Sequence, residues 1–182
     1  MKTEFVASRL DIKAFAQAAG QLAAQDTLQK YERLMQDTQG LGANLPLIWA
    51  ATGELRPVLG EPDQIWLHLK ADATLPLTCQ RCLGPVDVRV SVDRAFRFVA
   101  DEETAAAQDD DFEEELLVVS HDLNLTGLIE DELLMELPHV PRHEVCPTEV
   151  KLAVADEAFE AEMTTKPNPF AVLAKLKDDK AN

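Results

Sequence analysis

The sequence predicts an α+β fold: an antiparallel β-sheet domain with a long central hairpin, an N-terminal helical region and helices packed on the sheet. Three observations carry this. Two long runs alternate apolar and polar residues on either side of the short connection "QRCLGP". An Ala-, Gln- and Leu-rich run precedes them, and "NLTGLIEDELLMELP" follows with helical apolar spacing between a capping residue and a proline.

Taken in order, "LDIKAFAQAAGQLAAQDTLQKYERLMQDT", residues 10 to 38, places Leu28, Tyr31, Leu34 and Met35 at helical spacing. One or two amphipathic helices are expected here, with Gly20 as a break. Gly40, Gly42, Asn44 and Pro46 end helical character and close an N-terminal helical region, residues 1–44. An α+β core, residues 45–147, follows. "LPLIWAATGELRPV", residues 45 to 58, reads as a strand. Ile65, Leu67, Leu69, Ala71, Ala73, Leu75, Leu77 and Cys79 then occupy every second position, the period of a strand with one buried face. After the connection the pattern resumes with Val86, Val88, Val90, Val92, Phe96 and Phe98, making a hairpin with Cys-x-x-Cys at its tip.

The segment 101–115, "DEETAAAQDDDFEEE", has nine acidic residues in fifteen and reads as a mobile, solvated loop. "ELLVVS", residues 115 to 120, is expected to add a strand to the same antiparallel sheet. In the next segment Asn124 is the expected N-cap, Leu125, Leu128, Ile129 and Leu133 form the apolar stripe, and Pro138 stops the helix. The remainder, residues 148–182, reads as a tail with a short helix. Asn168 and Pro169 open that helix, and Phe170, Leu173 and Leu176 form its apolar face.

Seventeen Lys and Arg against thirty-three Asp and Glu give a net charge of −16, so the average surface repels phosphate backbones and suits a basic protein partner. Acidity that serves only solubility is the plainer reading. The first residues lack a signal-peptide pattern, and no run approaches the roughly 18 apolar residues that span a bilayer. A cytoplasmic protein with no membrane attachment is expected, and thiols in that compartment stay reduced.

Cys79 and Cys82 sit at the hairpin tip, and His143 and Cys146 repeat the x-x spacing about sixty residues on. Together they supply Cys3His, a complete ligand set for one structural zinc, at a tip with a glycine just past its second cysteine, as in a zinc knuckle. Three reduced thiols with no ligand remain the alternative. Thioredoxin-like chemistry fits less well, because it wants Cys-x-x-Cys at a helix N-terminus. Catalytic constellations are sparse: there is no phosphate-binding glycine loop, no Gly-x-Ser-x-Gly and no His-Glu-x-x-His. Glu130, Asp131 and Glu132 are consecutive, so on a helix they fan across about 200° and cannot converge on one cation. They read as a solvated helix face.

Three separated segments, "LTCQRCLGPV", "LIEDELLMELPHVPRHEVC" and "KPNPFAVLAKLK", together resemble the YceD family of large ribosomal RNA subunit accumulation proteins. On that pattern Cys79, Cys82, Glu130, Asp131, Glu132, Pro138, Pro141, Cys146 and the Asn168-Pro169-Phe170 corner fall on motif positions. The resemblance implies a non-enzymatic cytoplasmic factor for synthesis, processing or stability of large-subunit ribosomal RNA, with no small-molecule substrate. Some members carry a longer cysteine-rich block that reads as a full zinc site. Here only Cys146 stands there, followed by Pro147, so the resemblance supplies no metal and His143 is the fourth ligand by spacing alone.

A ribosomal RNA role and a net charge of −16 pull in opposite directions. In one reading the acidic surface binds a basic large-subunit ribosomal protein or a pre-ribosomal particle. In the other, a basic strip of Arg81, Arg89, Arg94 and Arg97 contacts precursor rRNA directly. Candidate partner contacts are Arg81, Glu130, Asp131, Glu132, Asn168, Pro169 and Phe170.

Overall fold

The computed structural model describes residues 5–60, 62–108, 114–149, 154 and 156. The chain divides into two units, Met1–Val145 and Cys146–Asn182. The described residues of the second unit adopt no helix or strand. The expected helix at Asn168-Pro169-Phe170 lies outside the described residues.

The first unit is built on five strands: β1 (Gln21–Thr27), β2 (Pro46–Arg56), β3 (Gln64–Thr78), β4 (Pro85–Val99) and β5 (Glu115–Val118). They lie side by side in the order β1-β2-β3-β4-β5. The hairpin of β3 and β4 runs unbroken from Ile65↔Phe98 to Thr78↔Pro85. With no bulge, residue parity is kept along its whole length, and the alternation visible in the sequence becomes two distinct faces. Leu67, Leu69, Ala71, Leu75, Val90, Val92 and Phe96 point to the buried face. Helices α1 (Ile12–Gln17), α2 (Glu32–Asp37) and α4 (Leu125–Met135) contribute Ile12, Phe15, Leu34, Leu125, Ile129 and Leu133 to the same core. Burying each Leu, Ile or Phe stabilises the unit by about 1.5–3 kcal/mol before ordering costs. Lys70, Thr74, Arg89, Ser91 and Asp93 line the opposite, solvated face.

The N-terminal region differs from the expected helices. Gly20 does break the run: its N–H donates to the Phe15 carbonyl at 2.9 Å, and an added Cβ would meet the Phe15 ring at 2.3 Å. Beyond it, however, "QLAAQDT" forms β1, with Leu22, Ala24 and Asp26 alternating against exposed Gln21, Ala23 and Gln25. Ala and Gln favour helix, but propensity is worth only tenths of a kcal/mol per residue, roughly, and pairing with the exposed edge of β2 overrides it.

Two further differences follow the acidic segment. Glu102–Gln108 is a helix, α3, rather than a loop. Asp101 opens it by accepting from the Thr104 N–H at 2.8 Å, and acidic Glu102 and Glu103 suit the positive end of the helix dipole. This helical crossover returns the chain in its original direction, so β5 pairs parallel with β4 and not antiparallel as expected. The α4 expectation holds: the Asn124 side chain accepts from the Gly127 N–H at 3.1 Å, and Pro138 lies just beyond the helix end.

Asp26 ties β1 to the turn that follows it. Its carboxylate accepts from Lys30 Nζ at 2.9 Å, Tyr31 Oη at 2.9 Å and Trp49 Nε1 at 2.8 Å. Burial alone would raise this acid, but the three donors outweigh it and hold it below its ordinary value. A depressed folded-state value gives stability that is present above the unfolded value and lost as pH falls through the folded one. Asp26→Asn should therefore lower the melting temperature at pH 7 and flatten its decline in acid, measured by thermal melts from neutral pH into the acid range. Equal acid slopes in both proteins would remove Asp26 from this role.

Candidate metal centre

The tip of the hairpin is closed by two backbone bonds, Cys79 N–H to the Gly84 carbonyl and Leu83 N–H to the Cys79 carbonyl, both 2.9 Å. Closing so tight a turn puts Leu83 in the left-handed region at φ 60°. Cys79 is fully buried. The turn aims the N–H groups of Arg81 and Cys82 at its sulfur.

The chain leaving α4 is stapled to this tip. Gln80 N–H donates to the Pro141 carbonyl at 2.8 Å, and His143 N–H donates to Cys79 Sγ at 3.4 Å. His143 Nδ1 lies 3.4 Å from Cys82 Sγ. Cys79, Cys82 and Cys146 form no disulfide, and with His143 they offer four ligand atoms all within 4.8 Å of one another. The four residues predicted from spacing are brought together.

Burial raises the Cys79 thiol, but the backbone N–H groups of Cys82, His143 and Arg81 outweigh it and lower it from 9.0 to about 5. The thiolate therefore dominates at neutral pH. A soft metal such as zinc holds sulfur at about 2.3 Å in a tetrahedron, whose corners lie about 3.8 Å apart. The observed spread and the sulfur-rich donor set fit such a group, with Cys79 already in the anionic form that a metal requires.

Glu130, Asp131 and Glu132 do not form the solvated helix face expected of them. Glu130 is only 9% exposed and Glu132 only 1%. Glu130 Oε1 accepts from the backbone N–H groups of Arg33 at 2.7 Å and Leu34 at 3.2 Å, capping α2, whose own preceding residue Tyr31 supplies no side-chain cap. Arg33 Nε also pairs with Glu130 Oε2 at 3.1 Å, and its Nη1 pairs with Asp131. Glu132 faces Arg94 Nε at 3.0 Å, yet without an aligned hydrogen bond to that oxygen. Burial therefore dominates and raises the Glu132 carboxyl, with the Arg94 charge opposing and the nearby Glu115 adding to the rise. The triplet fans out, as its consecutive positions require, but two of its members turn inward to hold neighbouring elements.

The four arginines of the expected basic strip do not share a surface. Strict parity along β4 sets Arg94 on the face toward α4, and Arg89 and Arg97 on the other. Arg94 bridges Glu132 and Glu136, Arg89 pairs with Asp72 at 3.3 Å, and Arg97 is 8% exposed with a bond to Gln108. Arg81 stands apart, at the tip. Sequence reasoning missed Arg33, because nothing local marks a residue whose partners lie 97 positions away. It also missed the Gln80 to Pro141 staple, which is a backbone bond with no side-chain signature.

An α+β unit, with a sulfur-rich cluster joining its longest hairpin to the segment after α4, defines an acidic protein class with a candidate structural metal site. Residues 67–177 match the family described as large ribosomal RNA subunit accumulation protein YceD, and the chain belongs to that family. It is 34% identical over 113 residues to the large ribosomal RNA subunit accumulation protein YceD of Haemophilus influenzae. That alignment covers 59% of this chain and 63% of the relative, so it spans less than two thirds of the relative's length. No solved structure matches the chain. The matched residues begin within β3, which places the metal centre, α3, β5 and α4 inside the family region and α1, β1, α2 and β2 outside it.

Proposed function

We propose that the protein is a non-enzymatic factor in large-subunit ribosome biogenesis that supports large-subunit ribosomal RNA by binding a basic ribosomal protein. Family membership motivates the process, and the observation that carries the partner class is the charge ledger. The net charge is −16, and the cations that the fold does place are largely neutralised by its own acids. Arg9 pairs with Asp122, Arg33 with Glu130 and Asp131, Arg56 with Glu54, and Lys70 with Asp93. The unbalanced surplus is carboxylate, which complements a basic partner. Cys79, Cys82, His143 and Cys146 hold one structural zinc in this reading, which fixes the tip and the following segment as one rigid element. Four protein ligands leave no open position for an activated water. Among the described residues, no helix is long and apolar enough to cross a membrane.

The test passes a mixture of extracted large-subunit ribosomal proteins over the immobilised chain at increasing ionic strength. A basic protein should be retained at about 0.01 M salt, where the Debye length is about 30 Å, and associate more slowly at 0.15 M, where it is about 8 Å. Retention that is indifferent to salt, or no retained ribosomal protein, rejects the reading. The second reading, direct contact with precursor rRNA, loses its Arg89–Arg94–Arg97 strip to the parity of β4 but keeps Arg81 at the hairpin tip.

A further inference from the structure

Five of the chain's arginines, Arg9, Arg33, Arg56, Arg89 and Arg94, have a carboxylate partner, and Arg97 is buried. The two that remain, Arg81 and Arg142, are both exposed and have no ion pair among the described residues, although acids outnumber bases thirty-three to seventeen. In so acidic a chain, arginines that fold stability places at random find carboxylates easily. These two sit on backbone that is already fixed: Arg81 follows Gln80 and Arg142 follows Pro141, the two residues joined by the 2.8 Å staple. The N–H of Arg81 is also committed to Cys79 Sγ.

The same turn carries Leu83, whose side chain packs on nothing in the core. Leu83 is 75% exposed and adopts φ 60°, a conformation that favours glycine and strains a branched side chain. An apolar side chain in water gains nothing from burial, and a glycine there would relieve the strain. Val140 on the facing segment is 58% exposed as well. Strained backbone carrying an exposed apolar group in the same tight turn as an exposed arginine is the arrangement of a contact surface.

We infer that the hairpin tip is an RNA-contact element, in which Arg81 and Arg142 bind backbone phosphates of single-stranded RNA and Leu83 packs against an adjoining base or sugar. The inference rests on the biogenesis reading for its choice of RNA over an acidic protein. It gives the protein two ends of opposite character: an acidic body for a basic partner and a small cationic tip for nucleic acid. The limited charge of the tip, with Glu144 beside it, and the repulsion of the body keep non-specific RNA affinity low. Guanidinium groups suit phosphate through their paired donors, and the stapled backbone presents both, leaving only their side chains to be ordered on binding.

The experiment uses the full-length, zinc-supplemented protein and a labelled single-stranded RNA of mixed sequence, about 20 nucleotides long, read by fluorescence polarisation over a range of salt. Replacing both Arg81→Gln and Arg142→Gln should weaken binding about tenfold or more at low salt and reduce the slope of log affinity on log salt by about 1.4, two phosphates at about 0.7 each. Leu83→Gly should weaken binding while leaving the melting temperature equal or higher, a combination that a structural role for Leu83 would reverse. Arg89→Gln, remote from the tip, should stay within about twofold of the parent.

Unchanged affinity and salt slope in the double variant would overturn the inference. So would a parent protein that ignores RNA but captures a polyglutamate peptide through the same arginines, which would make the tip an acidic-protein site. Cells lacking the protein separate this from the parent reading. If its loss lowers large-subunit ribosomal RNA and the double variant restores it fully, the tip assignment fails and the biogenesis reading stands. If its loss leaves that RNA unchanged, the biogenesis reading itself fails.

Discussion

If the centre holds zinc as proposed, Cys79→Ser should abolish zinc binding and lower the melting temperature by about 8–16 °C in zinc-containing buffer. The magnitude follows from linkage. A metal bound only by the folded chain adds about 4.1 kcal/mol when it is free at a thousand times its dissociation constant, and a chain of this size shifts by about 2–4 °C per kcal/mol. Metal analysis of untagged protein should find about one zinc per chain for a four-ligand centre, and a chelator should reproduce the loss in the parent protein but add nothing in the variant. The metal-free parent carries a second signature. Its Cys79 thiol is depressed from 9.0 to about 5, so the stability gained from the thiolate is complete above the unfolded value and disappears as pH falls through about 5. The serine variant lacks that slope. A parent protein that is metal-free, equally stable and open to independent modification of all three thiols would reject the centre.

What the sequence reveals about this centre and what it hides have separate physical causes. The hairpin is legible because β3 and β4 bury one face each, and a period of two maintained over fifteen residues per strand is a strong local pattern. The ligand set is legible as two couples with x-x spacing, because short spacing is what a turn needs to aim two side chains at one point. Their convergence is not legible. It depends on the Gln80 to Pro141 bond and on α4 delivering residue 143 to the tip, and backbone pairing across 61 positions leaves no trace in composition. The strand at Gln21–Thr27 is hidden for a related reason. Its Ala and Gln residues lean locally toward helix, and pairing with the open edge of β2 decides their conformation instead. Acidic runs mislead in both directions. Asp101 makes its run a helix start, and Glu130 and Glu132 are buried against arginines that a charge count assigns to the surface.

Those buried acids give the second large effect, and it separates a scaffold role from a partner-binding one. Glu130→Ala should lower the melting temperature by roughly 4–12 °C. The change removes a charged acceptor shared by the Arg33 and Leu34 N–H groups and by the half-exposed Arg33 guanidinium, and because water replaces part of these bonds the net loss is about 2–3 kcal/mol in all. Glu130→Gln keeps one carbonyl acceptor for the backbone donors and should lose less. Asp131→Ala removes only an exposed ion pair with the same arginine, worth under about 1 kcal/mol, and should change the melt little. If the family-motif triplet serves the fold at its first position and a partner at its second, Asp131→Ala should instead slow capture of a basic ribosomal protein at low salt while Glu130→Ala destabilises the chain. Equal melting temperatures for Glu130→Ala and the parent would show that α2 does not depend on this cap. The acid at position 130 would then have to be explained by what it binds outside the chain.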